Sequence, residues 1–193
     1  MLNGLLKIFF KFHNEMRVFG SPPDTDRTLI FVANHTSALD PVVLAASLPY
    51  PVRSLGKKEL FKGPIGFFLR VLGALPVDRE NKAGAASAYR ACLRVLKNGQ
   101  DLILFPEGHR SEDGRLKELT RGFAALSAHS GSPVVPVYIS GAFESMPPGS
   151  KSIDLYPISV IFGKPVYPHK NAENLIFQEV ESELHRLEDE VRG

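Results

Sequence analysis

The chain holds a single cysteine, Cys92, and that scarcity removes two classes at the outset. One thiol closes no intrachain disulfide, which fits a reducing compartment, and no zinc-type cluster of cysteine and histidine is present. Cys92 lies in AYRACLRVL at helical spacing, where a small buried hydrophobe belongs. Also lacking is an apolar run long enough to cross a bilayer, because the N-terminal stretch MLNGLLKIFFKFHNEMRVFG is broken by Lys7 and Lys11. No small-residue cleavage site follows it, so a signal peptide is not expected. The motifs G-x-S-x-G, G-x-x-x-x-G-K-[ST] and G-x-G-x-x-G are absent. A serine hydrolase of the nucleophile-elbow kind, a P-loop nucleotidase and a Rossmann dehydrogenase are each without their usual signature. His13, His129, His169 and His185 stand in unrelated contexts without metal-ligand spacing and read as structural or surface residues. No metal site is expected.

Net charge is also scarce, at +2 over 193 residues, but its distribution is informative. Residues 53–97 carry ten lysines and arginines against three acids, and the last 23 residues reverse this with seven acids against Arg186 and Arg192. A basic middle suits an anionic ligand or surface. Its cations are interleaved with apolar side chains. In GKKELFKGPIGFFLRVLG, Lys57, Lys58, Lys62 and Arg70 alternate with Phe61, Ile65, Phe67, Phe68 and Leu69. Such a mixture fits an anionic membrane surface, with Phe61, Phe67 and Phe68 as its contacts, better than nucleic acid. The alternative is an ordinary core helix with basic flanks. The first 20 residues carry a similar choice, between a short interfacial helix and a helix packed on its own domain.

With 44% hydrophobic and 23% charged residues and no linker-like stretch, the 193 residues read as one domain. Continuous apolar runs at Thr28–Ala33, Asp101–Phe105, Val134–Ile139 and Ile158–Phe162 predict buried strands, with a shorter one at Ala74–Val77. Helical patterns fall at Pro41–Ser47, Pro64–Leu72, Lys82–Lys97 and Arg121–Ser130, and an amphipathic helix with an acidic outer face at residues 172–191. Strands alternating with helices predict an α/β domain with a largely parallel or mixed sheet flanked by helices. In such sheets ligands gather beyond the carboxyl ends of the strands, where both His35 and Glu107 emerge.

Three clusters of polar residues follow apolar runs. In NHTSALD, residues 34–40, five positions separate His35 from Asp40, about 140° on a continuous helix, so the two meet only if the chain turns between them. Asp40-Pro41 supplies that turn, as an N-cap followed by proline at the first helical position. A carboxylate on one imidazole nitrogen fixes the tautomer and frees the other nitrogen to take a proton. The alternative is that Asp40 only caps and His35 is a satisfied loop residue. In DLILFPEGHRSEDG, residues 101–114, Gly108 permits a sharp turn or close approach of a ligand, Arg110 suits a phosphate and Ser111 adds a hydroxyl. Glu107 there suits either an acceptor hydroxyl or an anchoring role for neighbouring arginines. In GALPVDR, residues 73–79, Arg79 is a second candidate for phosphate, or simple surface charge.

Taken together and in order, these blocks resemble the glycerolipid acyltransferase family that includes 1-acyl-glycerol-3-phosphate acyltransferases. NHTSALD is similar to its first motif, N-H-x-x-x-x-D; GALPVDR to the second; FPEGHRS to the third, commonly F-P-E-G-T-R-S; and SPVVPVYISG to the fourth, centred on Val135-Pro136-Val137. The resemblance runs from about Thr28 to Gly141. It implies a glycerol-3-phosphate acyltransferase-like fold and an O-acyltransferase of phospholipid biosynthesis. His35 would be the base and Asp40 its support. Arg79, Glu107, Gly108, Arg110 and Ser111 would position the glycerophosphate, and Pro136 would shape the acyl or acceptor pocket. The donor would be acyl-CoA or acyl carrier protein, with no metal or redox cofactor. The protein would sit peripherally on the cytoplasmic face of a membrane, with lysophospholipid as acceptor and no nucleic acid as partner. Two departures touch the acceptor side: His109 stands where threonine is common, and Thr120-Arg121-Gly122 replaces a frequent Lys-Lys-Gly.

Overall fold

The computed structural model describes residues 2–78, 82–168 and 172–193. With elements numbered in chain order, the apolar runs become strands β2 (Ile30–Ala33), β4 (Ala74–Val77), β5 (Leu102–Leu104), β6 (Val134–Ser140) and β7 (Ser159–Phe162). Two strands outside the expectation, β1 (Arg17–Phe19) and β3 (Arg53–Lys57), complete a seven-stranded sheet of order β1-β7-β6-β2-β5-β3-β4. All neighbours run parallel except β6 and β7, so the sheet is mixed. β2 lies near the middle with all four residues buried, because helices cover both faces and leave no solvent side to alternate with.

The helices are α1 (Leu2–His13), α2 (Asp40–Ser47), α3 (Gly63–Val71), α4 (Lys82–Lys97), α5 (Gly122–Ser130), α6 (Ala142–Ser145) and α7 (Glu173–Arg192), with a 3-10 turn at Lys58–Phe61. Side chains alternate across β2, so Phe31 and Ala33 join Phe10 of α1 and Val43 and Leu44 of α2 in one core. Ile30 and Val32 join Cys92 of α4, Phe123 of α5 and Ile176, Val180 and Leu184 of α7 in the other. Cys92 is buried there, as its spacing predicts. The β3–α3–β4 unit steps along the sheet in the same direction as β2–α2–β3. Right-handed crossovers therefore put α3 on the α2 side.

The register of β2 against β5 sets the site. Val32 lies beside Leu104, and His35 and Glu107 each stand three residues beyond that pair. Equal offsets on parallel neighbours bring the two residues to the same point of the carboxyl edge. Beyond the end of β2, the carboxamide of Asn34 takes over the pairing with β6. It donates to the Ile139 carbonyl at 2.9 Å and accepts from the Ile139 amide at 2.7 Å.

Candidate active site

His35 and Asp40 meet. The imidazole Nδ1 lies 2.9 Å from Asp40 Oδ2, and the same oxygen accepts the backbone N–H groups of Thr36 at 2.7 Å and Ser37 at 2.8 Å. An oxygen that accepts two amides presents acceptor character to the ring, so Nδ1 carries the hydrogen and Nε2 the lone pair of neutral histidine. Nε2 makes no hydrogen bond among the described residues, and the ring keeps partial access to solvent while Asp40 is fully buried. The ring lies flat against Phe105, with centroids 4.3 Å apart. Asp40 does not cap its helix. Asp40 is itself the first residue of α2, Leu39 occupies the cap position without a side-chain bond, and the carboxylate turns back onto residues 35–37. Pro41 is therefore the second residue of the helix and not the first, one place later than expected, though still within the first turn. Asp40 Oδ1 and Thr36 Oγ1 are buried without a partner, so the support of the imidazole is concentrated on one oxygen.

Glu107 is buried too, but it points inward. Its Oε1 accepts the His35 backbone N–H at 2.6 Å and its Oε2 accepts the Lys117 backbone N–H at 3.1 Å. Burial raises its pKa to about 7, against the opposing pull of the two amides, and the nearby Asp40 charge adds to the rise. The folded chain therefore binds this proton more tightly than the unfolded chain. The stability it contributes is full below about 4.5, falls as pH rises toward 7, and beyond that the buried charge costs at most on the order of 3 kcal/mol. Urea unfolding at pH 5 and pH 8 should show Glu107→Gln gaining on the unsubstituted chain at the higher pH. A stability difference that does not change with pH would contradict this assignment.

The other expected residues separate into two groups. Gly108 adopts φ +75°, a conformation that favours glycine, and the space where a Cβ would stand is open. Arg110 is exposed beside it, and its guanidinium makes no side-chain bond among the described residues. These two face the open edge. Ser111 does not: it is fully buried, its hydroxyl donates to Asp113 at 2.8 Å and its amide to the His35 carbonyl at 2.7 Å. Pro136 sits inside β6 beside Val32, where it is buried in the sheet instead of lining an open cleft. Arg79 lies outside the described residues. A surface concavity lies at the opposite end of the sheet, around Thr28, His129 and Ser132, and touches none of these groups.

Of the three phenylalanines expected at a membrane, Phe67 is 70% exposed and Phe68 also faces outward, whereas Phe61 is only 6% exposed. Phe61 packs under the Arg70 guanidinium, 5.4 Å from its ring centroid, and against the backbone of Gly66 and Gly56. It belongs to the packing of α3.

A family model described as Acyltransferase matches residues 11–140, more than half of the sequence. The chain belongs to the acyltransferase family. Its relatives include the chloroplastic 1-acyl-sn-glycerol-3-phosphate acyltransferase BAT2 of Brassica napus, 33% identical over 150 residues that cover 77% of this chain and 43% of that protein. The 1-acyl-sn-glycerol-3-phosphate acyltransferase of Bacillus subtilis (strain 168) is 30% identical over 166 residues, covering 84% of this chain and 79% of that one. Among solved structures, the 1-acyl-sn-glycerophosphate (LPA) acyltransferase PlsC of Thermotoga maritima superposes with a TM-score of 0.79 at 28% identity, covering 97% and 79% of the two chains. This acyltransferase-family chain spans about half the length of several plant relatives. The family match takes in the first, second and third motif blocks entirely, along with the neighbours that hold them. Of those neighbours, Asn34, Phe105 and Lys117 escaped the sequence-based expectations. Asn34 adjoins His35 in the first block, and that adjacency was the available signal. Phe105 and the Lys117 amide gave none, since their roles come from the register of β2 and β5.

Proposed function

We propose that this chain transfers a fatty acyl group from an acyl thioester to the free hydroxyl of 1-acyl-glycerol-3-phosphate or a similar lysophospholipid, in phospholipid biosynthesis. The observation that carries this is the His35–Asp40 pair at 2.9 Å, with an Nε2 that bonds none of the described residues, at the edge where exposed Arg110 also stands. Nε2 takes the acceptor's hydroxyl proton as the oxygen attacks the thioester carbonyl. The tetrahedral intermediate collapses with cleavage of the carbon–sulfur bond, and the thiolate leaves with the proton returned by His35. The buried Asp40 carboxylate stabilises the positive charge that the ring carries in between. The thioester supplies its own leaving group, so this chemistry calls on no metal or redox cofactor. Arg110 holds the acceptor's phosphate through charge-assisted bonds.

Assays with acyl-CoA and acyl carrier protein thioesters, each offered lysophosphatidic acid, other lysophospholipids and glycerol-3-phosphate, test the donor and acceptor together. Exposed His109 beside Arg110 makes the wider acceptor panel worthwhile. Arg110→Ala should raise the KM for a phosphate-bearing acceptor roughly tenfold to a hundredfold with little change in kcat. An unchanged KM would remove Arg110 from phosphate binding.

The same reading places the protein peripherally on the cytoplasmic face of a membrane. No helix among the described residues is long and apolar enough to cross one. α1 buries Phe10 against the core yet leaves Leu5, Ile8, Phe9 and Phe12 exposed, so it is packed on its domain and apolar outside as well. α3, on the same side of the sheet, exposes Ile65, Phe67, Phe68 and Val71. Exposed Lys7, Lys11, Lys62 and Arg70 border these side chains, a combination that favours anionic lipid. Replacing Ile65, Phe67 and Phe68 by serine should cut flotation with anionic vesicles at least tenfold, given roughly 1.5–3 kcal/mol per buried large apolar side chain. Equal flotation would rule out α3 as a contact.

A further inference from the structure

Both polar groups of the His35 backbone are spent on one segment. The carbonyl accepts the Ser111 N–H at 2.7 Å, and the N–H donates to Glu107 Oε1 at 2.6 Å. The second oxygen of Glu107 reaches ten residues ahead, to the amide of Lys117 at 3.1 Å. Lys117 Nζ in turn donates to the Arg110 carbonyl at 3.3 Å, closing the loop on which Arg110 rides. From its far side, Glu188 of α7 accepts the adjacent amide, Leu116, at 3.1 Å and the Tyr138 hydroxyl at 3.3 Å. Two successive amides are thus held by two carboxylates, and among the described residues it is Glu107 that connects the loop's far end to the base.

A glutamate that held an acceptor hydroxyl would turn an oxygen toward the open edge. Glu107 is 8% exposed and gives each oxygen to a backbone amide. Those two amides need two acceptors, which the carboxylate present above about pH 7 provides and a carboxamide does not. The groups that face it are His35 at the end of β2, Asp40 from α2 and Lys117 from the loop, and its charged form answers two N–H donors among them.

We infer that Glu107 is a positioning residue that bridges the backbone of His35 to Lys117, and so fixes the base relative to the loop carrying Arg110, instead of binding the acceptor. This rests on acyl transfer at His35. Glu107→Gln keeps one acceptor and turns a donor toward the other amide. It should lower kcat about tenfold to a hundredfold, as expected for misplacement of a base by a fraction of an ångström to one ångström, with the acceptor KM within about threefold. Glu188→Gln disturbs the same loop without touching His35 and should leave kcat within about twofold. The bridge is also read without activity: amide hydrogen exchange at His35 should be at least tenfold faster in Glu107→Gln than in the unsubstituted chain. Should glutamine prevent folding, Glu107→Asp keeps the charge but withdraws both oxygens by a methylene, and the same kinetic and exchange changes are expected. A raised acceptor KM at unchanged kcat would make Glu107 an acceptor ligand and overturn the inference. Equal kcat losses in the Glu107 and Glu188 variants, or unchanged His35 exchange, would overturn it as well. Absence of acyl transfer in the unsubstituted chain, with His35 exchange still dependent on Glu107, would refute the proposed reaction and leave the bridge standing.

Discussion

Replacing His35 by alanine should lower acceptor-dependent thiol release by about 10²–10⁴, the range for loss of a positioned general base. The fold should survive. The imidazole contributes one side-chain hydrogen bond and a stacking contact with Phe105, while both backbone bonds of residue 35 persist after truncation. The acceptor KM should move little, because Arg110 and Gly108 remain at the open edge. Activity within a few fold of the unsubstituted chain would eliminate His35 as the base. A large rise in KM at constant kcat would turn it into a binding residue.

Asp40→Asn should lower kcat on a similar scale, about 10²–10⁴, for a different reason. Asparagine still offers an oxygen to the Thr36 and Ser37 amides and to Nδ1, so the turn over residues 35–40 is retained. What disappears is the buried negative charge that stabilises the ring as it takes up the hydroxyl proton. In serine proteases a comparable aspartate-to-asparagine exchange leaves the geometry intact and costs about 10⁴ in kcat. Alanine at position 40 is the less informative choice, because it leaves two buried amides without an acceptor and confuses folding with chemistry. Undiminished kcat in the Asp40→Asn variant would mean that the carboxylate is needed only for the shape of the turn.

Much of this site is legible in residues 34–40 and 105–111, and the reasons for the rest are physical. Strands β2, β5, β6 and β7 are readable because covered strands carry continuous apolar runs. β3 is not readable in that way: RSLGK mixes charge and glycine, and its side chains are only partly buried. β1 is three residues long at the sheet's edge and offers no period to detect. A carboxylate near His35 can be inferred from the turn at Asp40-Pro41, but the direction of that carboxylate cannot. Whether it faces forward as a cap or back onto the loop depends on donors two to five residues away. Glu107 shows the same limit more sharply. Its position after a strand marks it as a site residue, yet its aim depends on the equal three-residue offset of β2 and β5, a tertiary fact. Phe61 and Phe67 stand in one apolar, basic stretch and differ only in which surface the turn before α3 presents to the sheet.

Direct transfer of an acyl group to an acceptor hydroxyl activated by His35 leaves no acyl group on the protein. The most direct measurement follows both products and the protein in one reaction. The unsubstituted chain is mixed with anionic vesicles, lysophosphatidic acid and an acyl-CoA, and free thiol, diacyl product and intact protein mass are recorded over time. The expected result is one diacyl glycerophosphate per thiol released, dependence of both on the acceptor, and an unmodified protein mass throughout. Thiol release without diacyl product, or a kinetically competent acyl adduct on the protein, would contradict it.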